Sequence, residues 1–177
     1  KSSTLACKFY ASSGPLLESL TFPELERFAG FLDALSHRSY ELTTECLALG
    51  QEMFPLIGDD KDAFISLAST LVETGWRELK SFFEAGAKAL PRIDGSQRLR
   101  FLKIAERLVR DGGTNIPLVM LEVSQSLAHL ESDDHARVLD LSETLLDIAP
   151  TAVPEFIKGC PQVLERVTPN QMEKWFE

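Results

Sequence analysis

The strongest constraint on the fold of this chain is an apolar pattern that repeats every 36 or 37 residues. In one frame, apolar residues lie seven and then three positions apart, which places all three side chains on one face of an α-helix. The first members of successive frames are separated by 83−47 = 36, 120−83 = 37 and 157−120 = 37 residues. The frames are Leu47, Phe54, Ile57; Phe83, Leu90, Ile93; Met120, Leu127, Leu130; and Ile157, Leu164, Val167. The helices that carry this frame are called A helices below.

A second apolar frame has the same period and predicts a second helix, B, in each repeat. Its members are Phe64, Leu67, Leu71; Phe101, Ile104, Leu108; and Val138, Leu141, Leu145. The first members lie 101−64 = 37 and 138−101 = 37 residues apart, and Phe28 and Trp175 extend the series in both directions. The polar segments GDDKD, DGSQ, ESDD and TPNQ follow the A helices, and their Asp, Ser, Asn and Gly residues favour turns and helix N-caps.

Small residues and prolines also recur at fixed repeat positions. Small side chains let neighbouring helices approach closely, as a stack of repeats requires. They are Gly50, Gly86, Val123 and Cys160 in the A helices and Ala68, Ala105 and Ser142 in the B helices. Pro55 and Pro91 stand near the ends of two A helices, where we expect them to bend the helix as it approaches the turn.

These patterns predict an all-α protein, a HEAT-like α-α superhelix of four to five helix pairs with no β-strand. The period lies between the roughly 34 residues of tetratricopeptide repeats and the roughly 40–47 of HEAT and armadillo repeats. The tetratricopeptide signature W-x-x-L-G is missing, because Trp76 is followed by Arg-Glu-Leu-Lys. We expect A helices near 42–57, 77–93, 115–130 and 152–167, and B helices near 22–35, 60–74, 96–111, 133–148 and from 169.

The composition limits which partners and which cellular compartment we expect for the chain. The formal charge of −9 disfavours non-specific binding to nucleic acid or to anionic lipid. No apolar run approaches the roughly 18 residues of a membrane span. Three widely spaced cysteines without a Cys-x-x-Cys pair fit a reducing, cytoplasmic location. Because the chain begins at Lys1, removal of an N-terminal targeting segment stays open.

We expect residues 1–177 to form a single α-helical repeat domain that is a fragment of a longer protein, because the last repeat stops at Trp175 and Phe176, early in a B helix. The last unit, PTAVPEFIKGCPQVLERVTPNQMEKWFE, resembles the helical repeats that precede the von Willebrand factor A domain in NorD- and CbbO-like proteins. The resemblance implies a scaffold arm that works with a MoxR-type AAA+ ATPase. The D-x-S-x-S metal pattern of the von Willebrand factor A domain is absent, so no metal residue is carried over.

No motif predicts catalysis, so we expect a protein that is not an enzyme and binds no cofactor. The chain lacks G-x-S-x-G, H-E-x-x-H and a Gly-rich phosphate loop. His129 and His135 flank an acidic turn with Glu131, Asp133 and Asp134, but a capped, solvated turn explains these residues better than a metal site. Cys160, at the small-residue position, is expected to be a buried packing residue.

Basic residues suggest two electrostatic roles. One repeat position carries Arg27, Arg100, Arg137 and Lys174, a ladder that can link adjacent repeats through charge pairs, although solvated pairs within each helix are the alternative. One predicted B helix also carries a basic stripe that could dock an acidic partner segment, although a solvated charged face is the more common explanation of such a pattern. The candidate partner-binding residues are Arg98, Arg100, Lys103, Arg107 and Arg110.

The sequence therefore predicts a non-catalytic scaffold that mediates protein–protein interaction, with an AAA+ ATPase or its client as a partner. Two alternatives remain. The chain could be an accessory or regulatory region of an enzyme whose catalytic part lies elsewhere, or it could hold an apolar small ligand between helices. A dry cavity lined by Phe82, Phe83 and Phe101 would favour the second alternative, and a filled core would count against it.

Overall fold

The described part of the chain is all-helical. A computed structural model describes residues 14–112, 116–117, 119–121 and 132–164, and this part of the chain contains no β-strand. Its main helices are α1 (Phe22–Ser36), α2 (Tyr40–Met53), α3 (Lys61–Thr74), α4 (Leu79–Ala89), α5 (Gly95–Gly112), α6 (Ser132–Ile148) and α7 (Val153–Leu164). Residues 14–19, 116–117 and 119–121 are also helical. The all-α prediction is confirmed over these residues.

The predicted B helices correspond to α1, α3, α5 and α6, and each observed end lies within one residue of the predicted one. The predicted A helices correspond to α2, α4 and α7, each joined to 3₁₀ turns. Most of the A helix predicted at 115–130, the end of the one at 152–167 and the B helix from 169 lie outside the described residues.

The two repeated prolines end their α-helices instead of bending them. The α-helical hydrogen bonding of α2 stops at Met53 and that of α4 at Ala89. The 3₁₀ turns Phe54–Leu56 and Leu90–Arg92 follow, with Pro55 or Pro91 as the second residue. A proline has no N–H to donate and clashes with the preceding turn, so the chain tightens into a 3₁₀ turn. The expected bend within a continuous helix was wrong in this detail.

Local capping explains where the B helices begin. At α1, the backbone N–H of Thr21 donates to the Glu24 carboxylate at 2.7 Å. At α5, the Asp94 carboxylate accepts from the backbone N–H of Ser96 at 2.9 Å and from its hydroxyl at 2.8 Å. In the turn before α3, Gly58 has a φ of 60°, a left-handed conformation that glycine adopts without steric cost. The DGSQ turn therefore caps its helix as the sequence predicted, whereas Asp60 at the N-cap position of α3 makes no capping hydrogen bond through its side chain.

Helices of the same type pack against one another along the chain. The B helices form the contacts α1 with α3, α3 with α5 and α5 with α6, and the A helices α2 and α4 pack together in the same way. Contacts also join a B helix to the A helix that follows it, since α1 packs on α2 and α6 on α7. Each of these contacts joins elements that are neighbours in the predicted order of repeats. A superhelical arrangement of the whole chain stays a prediction.

The apolar frames form the core. The B-helix anchors Phe28, Phe64, Phe101 and Val138 are at most 2% exposed. The A-helix frames are buried in the same way at Leu47, Phe54, Ile57, Phe83, Leu90 and Ile93. In α6 the pattern weakens, because Leu141 and Leu145 are only partly buried while Leu139, Ser142 and Leu146 are buried.

The repeated glycines of the A helices contact the B-helix anchors. A Cβ added at Gly50 would lie 2.8 Å from the Phe28 ring, and one added at Gly86 would lie 2.6 Å from the Phe64 ring. Both glycines follow their phenylalanine by the same interval, 50−28 = 22 and 86−64 = 22. The small residue at this position thus makes room for the bulky anchor of the preceding B helix. Val123, at the equivalent position, lies outside the described residues.

Candidate functional site

Three of the five basic residues proposed for partner binding form ion pairs on the surface of the protein itself. Arg100 donates through Nε and Nη2 to the Glu143 carboxylate at 3.2 and 2.8 Å, and Nη2 also contacts Asp140. These contacts, with Glu143 first, raise the pKa of Arg100 above its ordinary value. Arg100 therefore joins α5 to α6 through a charge-assisted, two-pronged contact.

The rest of the stripe runs along α5 beside the same junction. Arg107 donates to Asp147 of α6 at 2.8 Å, whereas Arg110 pairs with Glu106 inside its own helix at 3.1 Å. Lys103 is exposed, and neither a hydrogen bond nor an ion pair holds it among the described residues. Most of the stripe thus contacts acidic residues of the chain itself. Binding of a separate acidic partner by this stripe stays a prediction.

Arg98 points into the protein. Its Nε donates to the carbonyl of Leu90 at 2.9 Å, its Nη1 to the carbonyl of Ile57 at 2.8 Å and its Nη2 to that of Ile93 at 3.3 Å. The Asp60 carboxylate lies 3.4 Å from Nη1, and both side chains are 13% exposed. Arg98 therefore ties two successive turns together. Partner binding by Arg98 stays a prediction, although these contacts already occupy its guanidinium group.

Asp60 is the partly buried acidic member of this cluster. Burial raises the pKa of its carboxyl group, and the nearby Arg98 guanidinium offsets part of that effect. Its side chain makes no N-capping hydrogen bond to α3, although it occupies the N-cap position. The carboxylate instead contacts Arg98, which links the turn before α3 to the turn before α5.

The predicted charge ladder is present in part. Arg27 of α1 pairs with Asp62 of α3 at 2.6 Å, and Arg100 links α5 to α6. Arg137 instead pairs within its own helix, with Asp134 at 3.7 Å. The A helices have a comparable contact between Glu45 and Lys80 at 2.8 Å, which raises the pKa of Lys80. Lys174 lies outside the described residues.

Two open grooves lie between neighbouring B helices. The α5/α6 groove has a volume of about 480 Å³ and is lined by Lys103, Ile104, Arg107, Asp140, Glu143, Thr144, Leu146 and Asp147. The α1/α3 groove has a volume of about 440 Å³ and is lined by Arg27, Gly30, Phe31, Ala34, Asp62, Ile65, Ser66, Ser69, Val72 and Glu73. Both grooves are surface features and are wide enough to receive side chains of another molecule.

The two grooves occupy equivalent positions of the repeat. Each lining residue of α1 has a counterpart in α5 that lies 107−34 = 73 residues later in the sequence. Each lining residue of α3 has a counterpart in α6 that lies 147−73 = 74 residues later. The corresponding residues are Gly30 and Lys103, Phe31 and Ile104, Ala34 and Arg107, Ser66 and Asp140, Ser69 and Glu143, Val72 and Leu146, and Glu73 and Asp147. The groove floor is apolar in both copies, and the wall position of Glu73 and Asp147 is acidic in both. The other four wall positions are small and neutral in the α1/α3 groove and charged in the α5/α6 groove.

Sequence reasoning missed the α1/α3 groove. Its signal was the run of small residues on exposed helix faces, namely Gly30 and Ala34 on α1 and Ser66 and Ser69 on α3. Two periods later, the same positions carry large, charged side chains, namely Lys103, Arg107, Asp140 and Glu143.

The two described cysteines, Cys46 and Cys160, are both buried. Burial raises the pKa of Cys46 to about 12 and that of Cys160 to about 11, so both thiols stay protonated at neutral pH. His135 is buried, and His37 is exposed beside Asp33. Within the described ranges, no three His, Cys, Asp or Glu residues are arranged to hold a metal ion. His129 and Glu131 of the proposed metal site lie outside those ranges.

Comparisons of the chain with protein-family models, curated proteins and solved structures find no match. In the residues that the structure covers, every helix is too short or too polar to cross a lipid bilayer.

Proposed function

We propose that this chain is a non-catalytic helical-repeat scaffold that binds protein partners, built as a HEAT-like α-α superhelix. Support for the superhelix comes from packing of each described B helix on the next, with anchors of one period buried throughout. Such a stack presents a long surface of parallel grooves rather than a single enclosed pocket. Surfaces of this kind suit extended protein segments.

The observation that carries the proposal is the pair of matched grooves. They lie at the same repeat positions, share an apolar floor and differ in the charge of their walls. A repeated groove with variable walls allows each repeat to contact a different part of one extended partner. The residues that vary are exposed or partly buried and none belongs to the buried core, so their variation does not disturb the core.

The small-ligand alternative receives no support from the phenylalanine core. Phe82 stacks on Phe64 with ring centroids 4.4 Å apart, and Phe83 meets Phe64 edge-on at 5.1 Å. All three rings, and Phe101, are at most 1% exposed. The rings therefore fill the space that an apolar ligand would need, and neither groove is lined by them.

Site-specific photo-crosslinking tests the proposal. The photo-reactive residue p-benzoyl-phenylalanine is placed at Ser66 or Lys103 in the grooves, or at Glu52 or Lys88 on exposed A-helix faces as controls. The resemblance of the last repeat makes a purified MoxR-type AAA+ ATPase the first partner to test. We expect crosslinks to a protein partner from the groove positions only. Crosslinks from the control positions alone, or none with the ATPase or in cell extract, would contradict the proposal.

A further inference from the structure

The α5/α6 groove shows how these grooves accommodate a cation. Arg107 lies across the groove from α5 and donates to the Asp147 carboxylate of α6 at 2.8 Å. The groove floor under it includes Ile104 and Leu146. The long aliphatic part of an arginine can pack on such a floor while its guanidinium group binds a carboxylate at the far wall.

The α1/α3 groove also has a carboxylate on its far wall, but it has no arginine at the position of Arg107. Glu73 stands at the position of Asp147, but Ala34 stands at the position of Arg107. Glu73 is exposed, and within the described residues it has no cationic partner. Arg27, the basic residue that lines this groove, is paired with Asp62 at 2.6 Å. A Cβ added at Gly30 would have no atom within 4 Å, so the wall beside Ala34 is open.

The intermediate copy of the position shows that this is not a general feature of the repeat. There, Thr70 of α3 corresponds to Ala34 and Arg110 of α5 corresponds to Glu73, at intervals of 70−34 = 36 and 110−73 = 37. Arg110 pairs with Glu106 of its own helix. Among the three copies of this pair of positions, only the α1/α3 copy has a carboxylate without a basic residue at the facing position.

We propose that the α1/α3 groove binds an arginine side chain of a partner protein, which takes the place that Arg107 occupies in the α5/α6 groove. Glu73 accepts the guanidinium group, and the aliphatic part of the side chain lies over Phe31 and Val72. The hydroxyl groups of Ser66 and Ser69 offer further acceptors for the five N–H donors of arginine. This inference rests on the proposed scaffold function and names the chemistry of its partner.

Charge supports an arginine-bearing segment as the occupant. The whole chain has a formal charge of −9, which attracts basic segments over a distance. At the groove itself, Arg27 and Asp62 neutralise each other, and Glu73 leaves one net negative charge. An acidic or phosphorylated segment would meet repulsion from Glu73.

The first test uses NMR titration of the complete chain with N-acetyl-arginine amide, and with N-acetyl-citrulline amide as a neutral probe of the same shape. We expect the arginine probe to shift the backbone amides of Gly30, Ala34, Ser66 and Ser69, with at least fivefold smaller shifts for citrulline. Equal shifts with both probes, or arginine shifts spread evenly over the acidic surface, would overturn the inference.

Two variants sharpen this test. Glu73→Gln removes the acceptor and should weaken binding of the arginine probe at least fivefold. Ala34→Arg supplies the missing cation from the chain itself and should block the groove to a similar extent. Asp147→Asn is the matched control in the other groove and should leave the probe affinity unchanged. Unchanged binding by both Glu73→Gln and Ala34→Arg would refute the assignment.

The crosslinking experiment separates this inference from the scaffold function. A partner captured from Ser66 through a segment that contains arginine supports both. A partner captured there through a segment without any arginine supports the scaffold and overturns the inference. Arginine binding by the groove, together with a complete absence of crosslinked partners, supports recognition of arginine and contradicts the scaffold.

Discussion

At the scale of single residues, the small side chain at the A-helix position decides how closely the helices approach. Gly86 lies against Phe64, whose ring is itself stacked on Phe82 at 4.4 Å and edge-on to Phe83 at 5.1 Å. Because these neighbours hold the Phe64 ring in place, it cannot move away from an added methyl group. The cost of a larger residue is therefore strain in the core.

We expect Gly86→Ala to lower the free energy of unfolding by about 1–2 kcal/mol, although alanine is the better helix former by about 1 kcal/mol. Gly30→Ala is the control, because an added Cβ at Gly30 meets no atom within 4 Å. It should raise the free energy of unfolding by about 0.5–1 kcal/mol. Urea unfolding followed by circular dichroism measures both, and a stabilising Gly86→Ala would contradict the close packing.

Arg98 makes several polar contacts within the turns before α3 and α5. Its guanidinium group satisfies three backbone carbonyls and Asp60 while it is 13% exposed. Removing it takes one donor from each of these acceptors in a poorly hydrated place, although backbone N–H groups still donate to the carbonyls of Leu90 and Ile57. The raised pKa of Asp60 shows that burial is already unfavourable for this carboxylate with its partner present.

We expect Arg98→Ala to lower the free energy of unfolding by about 3 kcal/mol. Arg92→Ala, a change at an exposed arginine in the preceding 3₁₀ turn, should alter it by less than about 0.5 kcal/mol. Chemical unfolding of the two variants beside the parent chain provides the comparison. Similar values for both would show that the Arg98 contacts contribute little.

At the scale of helices, the B-helix junctions are joined by different means. Contacts of α1 with α3 combine a buried phenylalanine floor with one exposed ion pair, Arg27 with Asp62. Contacts of α5 with α6 include the pairs of Arg100 and Arg107 with three carboxylates. Electrostatic attraction therefore contributes more to the α5/α6 junction, and salt should weaken that junction more.

A double-mutant cycle of Arg100→Ala and Glu143→Ala should give a coupling free energy of about 1 kcal/mol at low salt. The same cycle for Arg107 and Asp147, which are 43% and 70% exposed, should give about 0.5 kcal/mol or less. Both values should fall as sodium chloride is raised toward 1 M. Coupling that does not change with salt would mean that packing, rather than charge, joins these residues.

At the scale of the whole molecule, the proposed superhelix predicts that stability is local. In a stack, each repeat contacts only its neighbours, so a change in one repeat spreads over a short distance. In a bundle around one centre, the same change would weaken every helix together. The buried anchors Phe28 and Val138, in the first and last described B helices, allow this distinction to be tested.

We expect Val138→Ala to speed amide hydrogen exchange in α6 and α7 while α1 and α2 keep the rates of the parent chain. The substitution should cost about 2 kcal/mol, because it leaves a cavity in a fully packed site. Phe28→Leu is the reciprocal control, with faster exchange expected in α1 and α2. Uniform acceleration in either variant, measured by mass spectrometry, would favour a single cooperative core over a stack.

The sequence by itself predicted the helices, their order and their buried faces. An apolar spacing of three, four and seven residues and a capped polar turn are local properties, so they can be read before any tertiary contact is known. This is why the ends of α1, α3, α5 and α6 lie within one residue of their predictions. It also explains why Leu141 and Leu145 were misjudged, since their exposure depends on neighbouring elements.

The tertiary structure alone decided which charged residues remain available to a partner. Arg98 and Arg107 look equally free in the sequence, yet one binds three carbonyls inside the protein and the other binds Asp147, 147−107 = 40 residues away. Which residue a long side chain contacts is decided only when helices distant in sequence have packed together. The open groove beside Glu73 depends on the same packing, because residues of two helices distant in sequence, α1 and α3, line it.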